Sequence, residues 1–242
     1  AFDRELSRVV ALKVLRHDRT TEAALKRFRR EVAVARDADA ILVTYAKLPG
    51  DLLRQLKKCK AIGRFGLGVD NIDIPAAKEL GISVNYVPDY CLREVSDHAM
   101  ALLLALARKI PYSNKLVQAG RWEMPAVAPL RRLEGQVLGL IGLGGIPRAL
   151  VPKAKSFGLK VIAHDPFLPA DMFASAGAKS VSLDDLYAQS DMISVHAPLS
   201  PQTRGLVNAA AFAKMKKGVL IVNTARGPLI DEAALLAALD SG

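Results

Sequence analysis

The sequence has few cysteines, few aromatic residues and no long hydrophobic run. Its two cysteines, Cys59 and Cys91, have neither the spacing of metal ligands nor that of a disulfide framework. They predict a reducing, cytoplasmic location and no metal site. The longest apolar run, residues 99–107, is too short to span a bilayer, and no signal peptide is recognisable. We therefore expect no membrane partner. A start at Ala1 instead of methionine suggests that the natural start lies upstream.

The net charge of +10 would ordinarily raise the question of a nucleic-acid partner. Residues 1–36 contain ten Lys or Arg against five Asp or Glu, whereas the other charges are scattered without interleaved aromatic residues. This distribution favours a solvated basic helix and no nucleic-acid binding. A hydrophobic content of 51% over 242 residues is typical of a soluble globular protein with one large or two modest domains.

A glycine-rich segment between two apolar runs predicts a dinucleotide site. Gly142 permits a tight turn after the run at 137–141, and Gly144 removes a side chain where a pyrophosphate would approach the backbone. Gly145 and Ile146 begin a predicted helix whose free N–H groups face that phosphate. Asp165 ends the second apolar run, 21 positions after Gly144, where it can accept hydrogen bonds from a ribose 2′-OH. Such a carboxylate repels a 2′-phosphate and so favours NAD over NADP. The alternative interpretation of the whole glycine-rich segment is a structural turn that binds no ligand.

Pro147 stands where this pattern has its third glycine. Proline is tolerated in the first turn of a helix, but it removes one possible donor to the phosphate.

From residue 37 onwards, apolar runs alternate with helical patterns and short joints, which predicts parallel sheets covered on both faces. Asp165, His196 and Arg226 each follow an apolar run, and ligands of such sheets bind at the carboxyl ends of strands. Gly66 and Gly68 also follow a predicted strand. They either expose N–H groups to a small carboxylate or only form a turn.

Residues 1–36 predict a strand over 8–15 and a helix over 21–36. This segment resembles the early small-lobe segment of a bacterial serine/threonine protein kinase, and by that resemblance Lys13 would be the phosphate-anchoring lysine and Glu31 its partner on the following helix. The sequence contains no upstream glycine-rich loop, no H-R-D loop and no D-F-G, so we assign Lys13 and Glu31 no catalytic role. The segment is a fused fragment or an assembly artefact, or it is docked as the first β-α unit of the next domain.

The remainder, residues 37–242, resembles the D-isomer-specific 2-hydroxyacid dehydrogenases, which include phosphoglycerate and glyoxylate/hydroxypyruvate reductases and the C-terminal-binding-protein corepressors. The resemblance rests on the motifs at residues 66–73, 94–99, 142–144, 195–199, 215–218 and 223–227. It implies an α/β fold of two Rossmann-like or flavodoxin-like parallel-sheet domains. A partial substrate domain is expected at 37–111, and an NAD-binding domain at 112–242, incomplete at its C-terminal end.

The resemblance also implies site residues. Arg226 is expected to be catalytic and to hold the substrate carboxylate and C2 oxygen with its bidentate fork, although a surface ion pair is the simpler alternative. The backbone N–H groups of Leu67 and Gly68 would bind the same carboxylate. The coenzyme-binding residues on the nicotinamide side would be His196, Ala197, Pro198, Thr224 and Ala225.

The implied activity is hydride transfer between NAD(H) and C2 of a small 2-hydroxy or 2-oxo acid, by a full-length homodimer. The family's acid/base histidine and its partner glutamate match no residue of this chain, so we expect the chain itself to be inactive or nearly so. The alternative is an NAD-sensing regulatory module of the corepressor type without significant turnover.

Overall fold

The computed structural model describes residues 2–3, 8–9, 12–15 and 36–241. The chain divides into two compact units, Ala1–Tyr90 and Cys91–Gly242. Residues 21–35 of the helix expected over 21–36, including Glu31, lie outside the described residues.

The first unit is built on a parallel sheet of four strands in chain order. A short antiparallel pair, β1 (Phe2–Asp3) and β2 (Arg8–Val9), precedes this sheet. The strands of the sheet are β3 (Leu12–Leu15), β4 (Ala40–Val43), β5 (Ala61–Arg64) and β6 (Ser83–Tyr86). The helices of this unit are α1 (Gly50–Leu53) and α2 (Ile74–Glu79). The central strands read as apolar alternations, and Ile41, Val43 and Ile62 are enclosed in its core. The pairing of β3 with β4 makes residues 12–15 one edge of this sheet.

The second unit contains a five-stranded parallel sheet in the order β11-β10-β7-β8-β9. Its strands are β7 (Val137–Ile141), β8 (Lys160–His164), β9 (Lys179–Ser180), β10 (Met192–Val195) and β11 (Leu220–Asn223). Its helices are α3 (Leu92–Ala107), α4 (Ile110–Gln118), α5 (Gly145–Ser156), α6 (Ala170–Ala176), α7 (Leu183–Gln189), α8 (Ala209–Lys214) and α9 (Glu232–Ser241). This strand order is the Rossmann order with its reversal between β7 and β10.

Both faces of this sheet are covered, because alternate residues of each strand point to opposite sides. Leu138 and Leu140 of β7 join the core beneath α3 and α5, whereas Ile193 and Val195 of β10 join the core with α7 and α8. The predicted α/β fold of parallel sheets is therefore confirmed. The side chains of Ser182 and Asn208 cap α7 and α8, as the sequence indicates.

Some element boundaries differ from the prediction. The sequence pattern predicts a helix over 49–58, but the structure has only one helical turn there, residues 50–53. The pattern also predicts a loop over 121–133, and this segment contains a 3-10 turn, Met124–Val127. The division into compact units falls after Tyr90, and α3 packs on α5 and on β11 within the second unit. The domain boundary expected at 111 stays a prediction. In the described part of the chain, none of the helices combines the length and apolar character that a membrane crossing requires.

Candidate functional site

The turn after β7 depends on a glycine at 142. Gly142 has φ +92°, a conformation that residues with a side chain rarely adopt. A Cβ there would lie 3.2 Å from backbone atoms of His196 and Ala197. The backbone N–H of His196 donates to the carbonyl of Ile141 at 2.8 Å, so the ends of β7 and β10 are tied together. A larger residue at 142 would therefore require the backbone of His196 and Ala197 to shift.

The glycine at 144 has a different role, because the protein around it leaves space. Gly144 precedes the first turn of α5 with φ −69°, which any residue can adopt, and no atom lies within 4 Å of a Cβ built there. No side chain caps the helix, and Gly145 and Ile146 supply its first N–H groups. Pro147 occupies the first turn, as predicted, and offers no N–H.

Asp165 follows β8 and fastens the glycine turn. One carboxylate oxygen accepts the backbone N–H of Leu143 at 2.9 Å and the other accepts that of Phe167 at 3.0 Å. Each oxygen keeps lone pairs, since a carboxylate can accept about four hydrogen bonds. Asp165 is half-buried, so its side chain is not fully enclosed by the described residues.

The segment after β10 carries a neutral histidine. Burial lowers the pKa of His196 to about 4, and its Nε2 atom lies 2.8 Å from Oγ of Ser194. The imidazole is therefore uncharged at neutral pH and cannot supply a proton as a cation. Ala197 is buried and Pro198 is exposed, so the segment turns outward at Pro198.

The segment after β11 is organised by Asn223. Its side-chain oxygen accepts the N–H of Ala225 at 3.0 Å, and its side-chain nitrogen donates to the carbonyl of Arg226 at 2.8 Å. A guanidinium nitrogen of Arg226 donates to the carbonyl of Ala225 at 2.9 Å. Thr224 presents a buried hydroxyl oxygen that has no hydrogen-bond partner in the described chain.

These segments share one edge of the sheet, because β7, β8, β10 and β11 are parallel. The predicted residues that the second unit brings to this edge are Gly142, Gly144, Gly145, Ile146, Asp165, His196, Ala197, Pro198, Thr224, Ala225 and Arg226. The edge includes the reversal between β7 and β10, where ligands of open α/β sheets bind.

Leu67 and Gly68 belong to the first unit, in the loop after β5, and both are half-buried. Gly66 begins this loop with φ +131°. Asn71 secures the other end: its side-chain nitrogen donates to the carbonyl of Ala46 at 2.8 Å, and its own carbonyl accepts the N–H of Leu48 at 2.7 Å. That the backbone N–H groups of Leu67 and Gly68 bind the same substrate carboxylate as Arg226 stays a prediction.

Sequence reasoning did not single out Ser194 or Asn223. Both could have been found by their spacing: Ser194 lies two residues before His196, which directly follows β10, so both side chains are on the same face, and Asn223 ends the strand before a tight turn.

The residues at this edge fit a dinucleotide. A Cβ at Gly144 would project into space that the protein leaves open, and the enclosed hydroxyl of Thr224 lacks a partner in the described chain. An open backbone at a helix start suits a phosphate, and an unpaired buried hydroxyl suits a polar ligand group.

Comparison with known proteins agrees with this geometry. Residues 100–242 match the family model described as D-isomer specific 2-hydroxyacid dehydrogenase, NAD binding domain. D-3-phosphoglycerate dehydrogenase of Methanocaldococcus jannaschii is 39% identical over 235 residues, 96% of this chain and 45% of the relative. The enzyme of the same name from Sus scrofa is 39% identical over 212 residues, 87% of this chain and 40% of the relative. The chain thus spans less than half the length of these relatives.

A solved structure shows the same similarity. D-lactate dehydrogenase from Aquifex aeolicus, complexed with NAD and lactic acid, superposes with a TM-score of 0.82 at 31% identity, covering 87% of this chain and 63% of that structure.

Proposed function

Since the chain belongs to the D-isomer-specific 2-hydroxyacid dehydrogenase family, with NAD as its coenzyme, we propose that the whole protein transfers a hydride between NAD(H) and C2 of a small 2-hydroxy or 2-oxo acid. The observation that carries this proposal is the open backbone at Gly144, next to a carboxylate at Asp165 held by the same turn. When bound, the nicotinamide supplies the hydride acceptor or donor.

The second unit would hold the coenzyme at the carboxyl edge of its sheet. The N–H groups at Gly145 and Ile146 would receive the pyrophosphate, and Asp165 would accept the ribose hydroxyls. His196, Ala197, Pro198, Thr224 and Ala225 would line the nicotinamide side. A bound polar group at Thr224 would satisfy a hydroxyl that the described chain leaves unpaired.

Arg226 would bind the substrate. Its guanidinium can hold a carboxylate and a neighbouring oxygen with parallel N–H donors, which lysine cannot do in the same geometry. The bonds of Asn223 to Ala225 and Arg226 fix the backbone from which this side chain projects. Leu67 and Gly68, in the first unit, would bind a carboxylate with their backbone N–H groups.

We also propose that the 242-residue chain alone turns over little or no substrate. Reduction of a ketone requires a proton donor at the oxygen. Of the histidines in the described residues, His196 is neutral because its pKa is lowered to about 4, and His164 bonds through Nδ1 to the carbonyl of Val181 at 3.1 Å. The third, His98, lies exposed on α3.

The test separates coenzyme binding from turnover. We expect calorimetric titration of the chain with NADH to show saturable binding, about tenfold weaker for Asp165→Ala, because a charge-assisted hydrogen bond is lost. Asp171→Ala, an exposed carboxylate in the first turn of α6, is the matched control and should bind as wild type does.

The full-length protein is then assayed for NADH oxidation with glyoxylate, hydroxypyruvate and related acids. Turnover supports the dehydrogenase. NADH binding by the full-length protein without turnover contradicts it and favours the NAD-sensing regulatory module. Robust turnover by the 242-residue chain would refute its inactivity.

We further propose that the full-length protein is a homodimer formed through the second unit. Trp122 is 85% exposed, and apolar residues of the neighbouring α4, Ile110 and Val117, are also exposed. Large exposed apolar side chains of this kind are typical of interaction surfaces. Sedimentation velocity should show a dimer that Trp122→Glu weakens, while Phe167→Glu, an exposed aromatic residue after β8, leaves it intact; a monomeric wild type contradicts the proposal.

A cytoplasmic location is proposed as well. The sequence has only two cysteines, Cys59 and Cys91, whose spacing is neither that of metal ligands nor that of a disulfide framework, and this usage is typical of a reducing compartment. Cell fractionation tests it, and recovery in a secreted fraction overturns it.

A further inference from the structure

Ser194 and His196 form a buried pair on one face of β10 and the residue that follows it. Residues two apart on a strand point to the same side, so the two side chains meet. The Oγ atom of Ser194 lies 2.8 Å from Nε2 of His196, and Ser194 is 0% exposed. Both side chains therefore depend on each other for hydrogen bonding.

The serine must be the donor in this hydrogen bond. A hydroxyl has a single proton, and in the described part of the chain Nε2 of His196 is the hydrogen-bond partner recorded for Oγ of Ser194. If Nε2 carried a proton and donated it, the proton of the enclosed hydroxyl would have no acceptor, an arrangement that native interiors avoid. The hydroxyl therefore donates and Nε2 accepts with its lone pair.

This direction fixes the position of the imidazole proton. Burial keeps His196 neutral, with its pKa lowered to about 4. A neutral imidazole has one N–H and one lone pair, so a ring that accepts at Nε2 carries its proton at Nδ1.

The Nδ1 atom is not fully enclosed. It makes no hydrogen bond within the described residues, and it is not one of the enclosed, unpaired polar atoms found there. His196 as a whole is half-buried, and it lies at the carboxyl end of β10, beside the reversal of strand order.

We propose that Ser194 is a positioning residue that holds His196 in the Nδ1–H form, so that the ring presents a hydrogen-bond donor to an oxygen of the nicotinamide nucleotide. The ligand group is thereby an acceptor, such as a hydroxyl, carboxamide or phosphate oxygen. The coenzyme part of this inference rests on the proposed function, whereas the proton position does not.

The proton position is tested without coenzyme. Long-range proton–nitrogen NMR spectra of the ¹⁵N-histidine-labelled 242-residue chain distinguish a protonated from an unprotonated ring nitrogen, and His196→Asn identifies the signals of residue 196. We expect protonated Nδ1 in the wild type, a change in this signal in Ser194→Ala and its recovery in Ser194→Thr, which keeps the hydroxyl. Protonated Nε2 in the wild type, or a Ser194→Ala spectrum identical to it, overturns the proposal.

The role of the Nδ1–H group of His196 as a hydrogen-bond donor is tested by NADH titration of two variants that carry a side-chain amide at position 196. The amide nitrogen of asparagine lies near the position of Nδ1, and that of glutamine near Nε2. We expect His196→Asn to keep most of the NADH affinity and His196→Gln to lose about tenfold, equivalent to ~1.4 kcal/mol. Equal losses in the two variants contradict the donor role, and urea unfolding verifies that both are folded.

The two levels of failure are distinguishable. If the wild type binds no NADH while Nδ1 is protonated, the proposed function fails and the serine–histidine arrangement stands. If NADH binds but Nε2 carries the proton, the serine–histidine arrangement fails and the proposed function stands.

Discussion

The two glycines of the turn after β7 provide a matched pair for testing the coenzyme site. Gly142 is required by the fold, because it combines φ +92° with a Cβ position 3.2 Å from the backbone of His196 and Ala197. Gly144 is not required by the fold, because its φ is −69° and the Cβ position is open. Alanine at each position should therefore separate stability from coenzyme binding.

The magnitudes follow from these contacts. For Gly142→Ala, left-handed backbone strain of roughly 1–2 kcal/mol adds to the close contact, so we expect about 2–3 kcal/mol of lost unfolding free energy. For Gly144→Ala, reduced entropy of the unfolded chain stabilises by about 0.4–1 kcal/mol. A poorer helix cap offsets this by roughly the same amount, since alanine ranks below glycine at that position. The net change in stability should be within about 1 kcal/mol of zero.

The effects on NADH affinity should rank in the opposite order: among the folded variants, Gly144→Ala should weaken NADH binding more than Gly142→Ala does. A methyl group at 144 projects into the space left for the pyrophosphate, so NADH affinity should fall at least about tenfold, ~1.4 kcal/mol. Urea unfolding measures stability, and calorimetry with NADH measures binding. If Gly144→Ala binds NADH as tightly as wild type does, the pyrophosphate does not lie against this backbone and the reasoning fails.

Three further predictions concern charge. Asp191 accepts the N–H of Val137 and the ammonium of Lys216; burial opposes ionisation of its carboxyl, but these partners lower its pKa. The ~1 kcal/mol of unfolding free energy lost in Asp191→Asn at pH 7 should therefore shrink as the pH falls below about 4 and through that lowered pKa. Lys153 joins α5 to Asp97 on α3, so Lys153→Met should lower the unfolding free energy by about 1 kcal/mol in urea titrations, and an unchanged midpoint contradicts the contact. His196, with a pKa of about 4 against roughly 6.5 when unfolded, binds a proton more weakly in the folded state. Relative to His196→Asn, the wild type should lose up to about 3 kcal/mol of stability as the pH falls from ~6.5 to ~4, and parallel pH profiles would exclude this burial.

Much of the second unit is predictable from local sequence because its signals are local. Apolar runs of strand length, Ser182 and Asn208 as helix caps, and the glycine spacing each act within a few residues. The helix expected over 49–58 stops at Leu53, and the segment 121–133 contains a 3-10 turn. Their ends depend on packing against residues far along the chain, which a local pattern does not contain.

By itself the sequence determined the βαβ unit around Gly142, Gly144 and Asp165, because turn conformation, open backbone and strand-end charge are set by residue type and spacing. Only the tertiary structure decided which strands are neighbours. The Rossmann order brings the ends of β7, β8, β10 and β11 to one edge, seats the backbone of His196 against Gly142 and encloses the hydroxyl of Ser194 against the imidazole. The approach of His196 to Gly142 joins residues 54 positions apart, and its geometry comes from the packing of parallel strands between two helical layers.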